Sequence, residues 1–225
     1  MQPPKTIGLH NLMLQFVSNG GSEACDFLEF ASREITAEMI VNVEQETLLQ
    51  SDSPLWHDMR YGRITASKSY DAMHCKTVGV LVEQIVGVTK IRGSVAMAPG
   101  RKLEERVKEV VENQMNMKFS KSGLVLLKEH AVIGASPDAT SENALVEIKC
   151  PLYDRTVSNY ITKQFELTAK CKAQVQMQMF ICKRIFVYSA LLIRSLIVMK
   201  RYSLYMSSSI VHLQKISFQN VRDFG

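Results

Sequence analysis

The chain has no Cys-x-x-Cys pair and an odd number of cysteines: Cys25, Cys75, Cys150, Cys171 and Cys182. That argues against a disulfide framework and a structural zinc site, and it leads us to expect a reducing, intracellular compartment. The first ten residues hold two prolines and no apolar run, so no secretion signal is expected there. An apolar run long enough to span a bilayer is also missing. The stretch from Ile185 to Met199 comes nearest, but it is short, Arg194 breaks it, and it reads as two adjacent strands with no membrane role. Acidic residues are scarce towards one end: residues 151–225 carry three Asp and Glu against 11 Lys and Arg, whereas residues 1–150 carry 19 against 16.

What is present fits a globular protein with one well-buried α/β domain and an N-terminal extension: 225 residues, 46% hydrophobic, mean hydropathy −0.02. The basic final third suits a polyanionic partner, although such runs also form ordinary solvated surface.

Residues 1–22 read as a loosely held tail with at most one helical turn, and the apolar spacing after Cys25 predicts a helix at about 34–50. Ser53 followed by Pro54 is a helix start, with Ser53 as N-cap and the proline in the first turn. Helices are expected over Val78–Val88, from near Gly100 to Gln114, and over Glu166–Cys182. The last is apolar on most sides and therefore buried, with Gln174 and Gln178 one turn apart on the remaining stripe. Lys118–Leu127 and His130–Gly134 read as a hairpin, Ala144–Cys150 as a central strand, and Arg184–Ile193 and Leu196–Tyr205 as closing strands. The expected division is an N-terminal extension over 1–50, one domain over 51–206 and a C-terminal tail over 207–225.

The chemistry concentrates in Gly134-Ala-Ser-Pro-Asp138 and Leu145-Val-Glu147-Ile-Lys149-Cys-Pro151. On a strand, Glu147 and Lys149 share one side while Val146 and Ile148 take the other. Two carboxylates and an ammonium at one place are costly to bury unless paired or bound to a cation. Hard oxygen ligands suit Mg²⁺ or Mn²⁺, which lower the pKa of water and contact phosphate, while Lys149 offsets charge growing on the phosphate. These are the parts of a phosphodiester-cleaving site, with Asp138 and Glu147 as metal ligands. Plainer roles also fit. Asp138 can end a turn, Glu147 and Lys149 can form a surface ion pair, and Glu104 can pair with Arg101 or Lys108 along its helix. Thr65 or Ser67 can simply cap a helix.

Ser-Pro-Asp followed by Glu-Ile-Lys-Cys-Pro resembles the PD-(D/E)xK nuclease superfamily, and within it the YqaJ-like viral recombinase and phage lambda exonuclease branch. Three further stretches match that branch in order: Trp56 to Ser67, with Arg60 and Ile64-Thr65-Ala-Ser67; Gly100-Arg-Lys-Leu-Glu104; and Ala173-Gln174-Val-Gln176. The resemblance spans about Ser53 to Ser189. It implies a restriction-endonuclease-like core, a mixed central β-sheet flanked by helices. It also implies an exonuclease acting 5′ to 3′ on linear duplex DNA in recombination or end processing. Glu104 and Gln174 become supporting groups at the metal and catalytic site, and Arg60, Thr65 and Ser67 a pocket for a terminal phosphate. By the same resemblance the partners are DNA ends, further copies of the chain in a trimeric ring, and a single-strand annealing protein. One departure stands out: relatives usually have Gly after the Asp, and here it is Ala139. A turn needing positive φ would make Ala139 costly by roughly 1 kcal/mol and suggest a weak or inactive nucleic-acid-binding relative. The Leu191–Ile197 stretch, without a polar turn, points the same way.

Overall fold

The computed structural model describes residues 7–86, 97–193 and 196–203. The expected turn at Arg194 and Ser195, the loop around Gly93 and the tail over 207–225 lie outside the described residues.

Helices α1 (Leu9–Ser18), α2 (Ala24–Glu34) and α3 (Ala37–Glu46) open the chain. The expected loose tail is thus largely a ten-residue helix; the helix expected at 34–50 is the shorter α3, and α2 just before it is a further helix that the sequence reading lacks. The physical reason is long-range. Ile7, Leu12, Phe16, Phe27, Phe30, Ile35 and Val43 are buried in one cluster with Leu124, Leu126 and Ala131; α1 packs on α2, so its apolar stripe joins a core that residues more than a hundred positions away complete. Thr36 ends the junction by accepting from the Met39 amide at 3.2 Å. A 3₁₀ turn over Gln50–Asp52 leads to α4 (Pro54–Arg60), where the Ser53 hydroxyl accepts from Trp56 N and Pro54 lies in the first turn, as the sequence predicts.

Strand β1 (Ile64–Thr65), helices α5 (Ser69–Met73), α6 (Val78–Ile85) and α7 (Met97–Met115), and strands β2 (Val125–Leu127) and β3 (His130–Ala135) follow. Next come β4 (Ala139–Thr140), β5 (Ala144–Lys149), α8 (Ala169–Cys182), β6 (Phe186–Ile193) and β7 (Leu196–Ser203). The strands form two mixed sheets. One has the order β1-β3-β2, with β1 parallel and β2 antiparallel to β3; the other has the order β4-β5-β6-β7, with β5 and β6 parallel and joined through α8. The apolar Ile185–Met199 stretch is accordingly β6 and the start of β7, and among the described residues no helix is long and apolar enough to cross a membrane.

The chain passes from one sheet to the other at Ser136-Pro137-Asp138. Ala139 pairs with Val146, so Asp138 arrives beside Glu147 at the junction of the sheets. Strand β5 is buried on both faces. Val146 and Ile148 pack with Val107 and Val111 of α7, while Leu145 packs with Val175 and Met179 of α8. Glu147 and Lys149 therefore face the α8 side, under a helix, where the sequence alone allowed an exposed edge.

Candidate active site

The centre of the site is the Glu147 carboxylate, only 3% exposed. Three side chains donate to it: Lys149 Nζ and Gln174 Nε2 to Oε1, the latter at 2.6 Å, and Gln178 Nε2 to Oε2, also at 2.6 Å. Gln174 and Gln178 lie one turn apart on α8, so one helix face clamps both carboxylate oxygens. Thr168 sets the start of that helix by accepting from Cys171 N at 3.4 Å, and Lys183 ends it in a left-handed conformation at φ 52°. The amide oxygen of Gln178 is buried with no hydrogen-bond partner among the described residues.

Asp138 is half-buried, and its Oδ2 accepts from the Ile148 amide at 2.6 Å. Burial, and after it the charge of Glu147, hold its carboxyl well above the ordinary carboxylate range. Burial alone would lower the Lys149 ammonium, but the charges of Glu147 and Asp138 outweigh that and raise it above its ordinary value. Two neighbouring carboxylates, one of them held against ionisation, are the electrostatic setting that a divalent cation relieves. The donor set fits one. Asp138 and Glu147 offer hard oxygens, and the three donors on Glu147 leave roughly one of its four acceptor sites open. Among the described residues no three His, Cys, Asp or Glu side chains converge into a ready cage. A cation here would thus have few protein ligands, the usual situation for Mg²⁺.

A cleft of about 590 Å³ opens at Asp138 and Ile148. Glu104 reaches it from α7, and its charge acts on both Asp138 and the Cys150 thiol, which burial chiefly pushes up to about 11. Residues Leu48–Asp52 form another wall. There Gln50, at φ 47°, donates its side-chain amide to Pro137 O at 2.9 Å and Ser122 O at 3.0 Å. The N-terminal segment thereby grips the residue before Asp138. Nothing in the sequence singles out Gln50, because its partners lie 72 and 87 positions away. For Gln178 a signal existed in its spacing from Gln174.

The structure brings two of the predicted phosphate anchors, Thr65 and Ser67, into contact, and Arg60 stacks on Trp56 apart from them. The Arg60 guanidinium lies over the Trp56 ring at 3.8 Å, and Trp56 Nε1 donates to Ser136 Oγ at 2.9 Å, two residues before Asp138. Burial brings Arg60 down to about 10, which keeps it charged at neutral pH. Thr65 is buried and pairs with Gly134 across the sheet. Its hydroxyl lies 3.2 Å from that of exposed Ser67 and makes no capping bond to the 3₁₀ turn it precedes. Arg63, one turn on from Met59, is a different matter. It is 1% exposed and donates to the carbonyls of Ala131 and Met59, and to that of Ile7 at 2.7 Å, so its charge ties α1, α4 and β3 together.

Ala139 is an extended strand residue, buried and outside the set of positive-φ positions. The backbone after Asp138 does not require glycine.

The sequence profile of the YqaJ-like viral recombinase domain matches residues 55–184, more than half of the chain. No curated protein sequence matches it. Among solved structures, the alkaline exonuclease LHK-Exo of Laribacter hongkongensis, crystallised with dAMP, superposes with a TM-score of 0.61 at 21% identity, over 73% of this chain and 90% of its own. SOX, the shutoff and exonuclease protein of Kaposi's sarcoma-associated herpesvirus, superposes in its DNA complex with a TM-score of 0.55 at 13% identity. In its RNA complex the values are 0.58 and 12%; both cover 99% of this chain, and 84% and 88% of SOX. These likenesses are likenesses of fold. With the domain profile covering all four ordered motifs and more than half of the chain, the chain belongs to the YqaJ-like viral recombinase family.

Proposed function

We propose that this chain is a metal-dependent deoxyribonuclease that degrades linear duplex DNA from a 5′ end. The observation that carries the reading is the buried Glu147, shared by Lys149 and Gln174 and placed beside Asp138, which lines an open cleft. Exonuclease activity in LHK-Exo and SOX, and the nucleic acids bound to SOX, support the choice of substrate class.

In this reading Asp138 and Glu147 hold Mg²⁺, with Mn²⁺ fitting the same oxygens, and Glu104 assists from the cleft wall. The ion supplies Lewis-acid polarisation of a phosphate oxygen and acidifies water. Lys149, held as an ammonium, donates to the attacking oxygen and offsets the charge that grows at phosphorus; it does not take a proton. Gln174 and Gln178 keep the Glu147 carboxylate from rotating, so the geometry is set before substrate arrives. Arg60, Thr65 and Ser67 bind the terminal phosphate, which places one scissile bond at the metal and recreates the same end at each step. The alternative of an impaired binding relative loses its first support, since Ala139 occupies its place in an extended strand.

The test is linear duplex DNA labelled at either end, with Mg²⁺ or with EDTA. Release of label from the 5′ end in Mg²⁺ alone is expected, and closed circles should resist. Arg60→Ala should lose roughly ten- to hundred-fold on phosphorylated ends, the value of a charge-assisted contact of about 1.5–3 kcal/mol, and far less on dephosphorylated ends. Equal losses on both ends, or efficient cutting of circles, would sink the end-dependent mechanism. By family likeness the reading extends to a trimeric ring and to an annealing protein as partner; light scattering that gives a monomer ends the ring.

A further inference from the structure

The cleft at Asp138 has one wall with no part in the chemistry above. Lys108 lies one turn along α7 from Glu104 and on the same face, and Lys121 approaches from the segment that follows the helix. Glu105 stands between them: its Oε1 lies 3.1 Å from Lys121 Nζ and its Oε2 lies 4.0 Å from Lys108 Nζ. Lys108 also lies 3.8 Å from Glu112, whose other contacts, the Phe119 amide and Lys118, close the end of the helix. Two ammonium groups that converge on the two oxygens of one anion, in a cleft ending at the candidate scissile position, have the arrangement a backbone phosphate needs.

We infer that Lys108 and Lys121 form a seat for a phosphate of the nucleic-acid backbone next to the scissile one, and that Glu105 holds this seat in the free protein. The exchange is easy. Glu105 and Lys121 are more than half exposed, and ion pairs of that kind contribute little, so a phosphate that accepts from both lysines displaces the carboxylate at small cost. Glu105 thus competes with the phosphate for both lysines until it is displaced. None of the three residues belongs to the motifs that define the site. The inference rests on the nuclease reading for which phosphate is bound, and on the cleft itself for the binding.

The test uses the full chain and a short 5′-phosphorylated duplex in EDTA, so that binding is read without cleavage. Affinity is measured over a range of salt, with neutral methylphosphonate linkages placed one at a time near the labelled end. Lys121→Ala should weaken binding about three- to ten-fold and reduce the salt slope by about 0.9, the value for one lost phosphate contact. Glu105→Gln should tighten binding about two- to five-fold, since it removes the competing anion and leaves both lysines. One linkage position should reproduce the loss seen in Lys121→Ala, and the two losses should not add. An unchanged affinity and slope in Lys121→Ala, or weaker binding in Glu105→Gln, overturns the seat and leaves these residues as surface ion pairs. A wild-type chain that binds in this pattern but does not cut DNA in Mg²⁺ overturns the proposed reaction and supports the seat.

Discussion

Gln178→Leu and Gln174→Leu look alike on paper and should behave differently. Each removes one hydrogen bond to the buried Glu147 carboxylate, worth about 1.5–3 kcal/mol because the acceptor is charged. Gln178 also buries an amide oxygen that has no partner, a penalty of about 1–3 kcal/mol that leucine, of similar volume, takes away. The two effects are opposite in sign, but the loss also strips the carboxylate's Oε2 of its donor, so Gln178→Leu should still cost up to about 2 kcal/mol, or roughly 4–8 °C in Tm for a chain of this size. Gln174 is half-buried and carries no such penalty, so Gln174→Leu should cost the full 1.5–3 kcal/mol. Urea unfolding followed by circular dichroism reads both. In turnover the order is not preserved. Glu147 Oε2 depends on Gln178, and losing that donor frees the carboxylate to rotate, so Gln178→Leu should cut nuclease rate ten-fold or more in the folded protein. If Gln178→Leu proves less stable than Gln174→Leu by 2 kcal/mol or more, or keeps full activity, the clamp as described is wrong.

Asp138→Asn should raise Tm in EDTA at neutral pH. Its carboxyl is held above the ordinary range by burial and by Glu147, so ionisation opposes folding increasingly as pH rises from the unfolded value, about 3.9, through the folded one; the amide removes that opposition. In Mg²⁺ the wild type should gain Tm and the variant should not, and equal gains in both would remove Asp138 from the metal set. Arg63→Met should cost about 2–4 kcal/mol by leaving the Ala131, Met59 and Ile7 carbonyls unpaired, with hydrogen exchange speeding first in Leu9–Ser18; unchanged protection there would break the link between α1 and the domain. Gln50→Leu should lower turnover about ten-fold while Gln50→Gly, which relaxes the left-handed backbone but also lacks the amide, should lower it equally. Recovery in the glycine variant would show that backbone strain, and not the bond to Pro137, is what matters.

Much of this protein is written in short-range pattern. The alternation of Leu145 to Lys149, the Ser53-Pro54 start and the buried, Gln-bearing α8 depend on neighbours within a few residues, and each is found where the pattern puts it, save that α8 starts behind its Thr168 cap and not at Glu166. The pairing of Glu147 with Lys149 follows from strand parity alone, and the family from the order of its motifs. Tertiary structure decided the rest, because it turns on which distant surfaces meet. Residues 9–18 are helical since their apolar stripe packs on α2 and joins a buried cluster that Leu124 and Leu126 complete, which no local window contains. Glu147 lies beneath α8 and not on an edge, which gives Gln178 its part in the site. The side chains of Gln50 and Arg63 find their partners across 87 and 68 residues, respectively. A sequence states what each residue can donate, accept or bury; only the packed chain settles which of those capacities come within reach of one another.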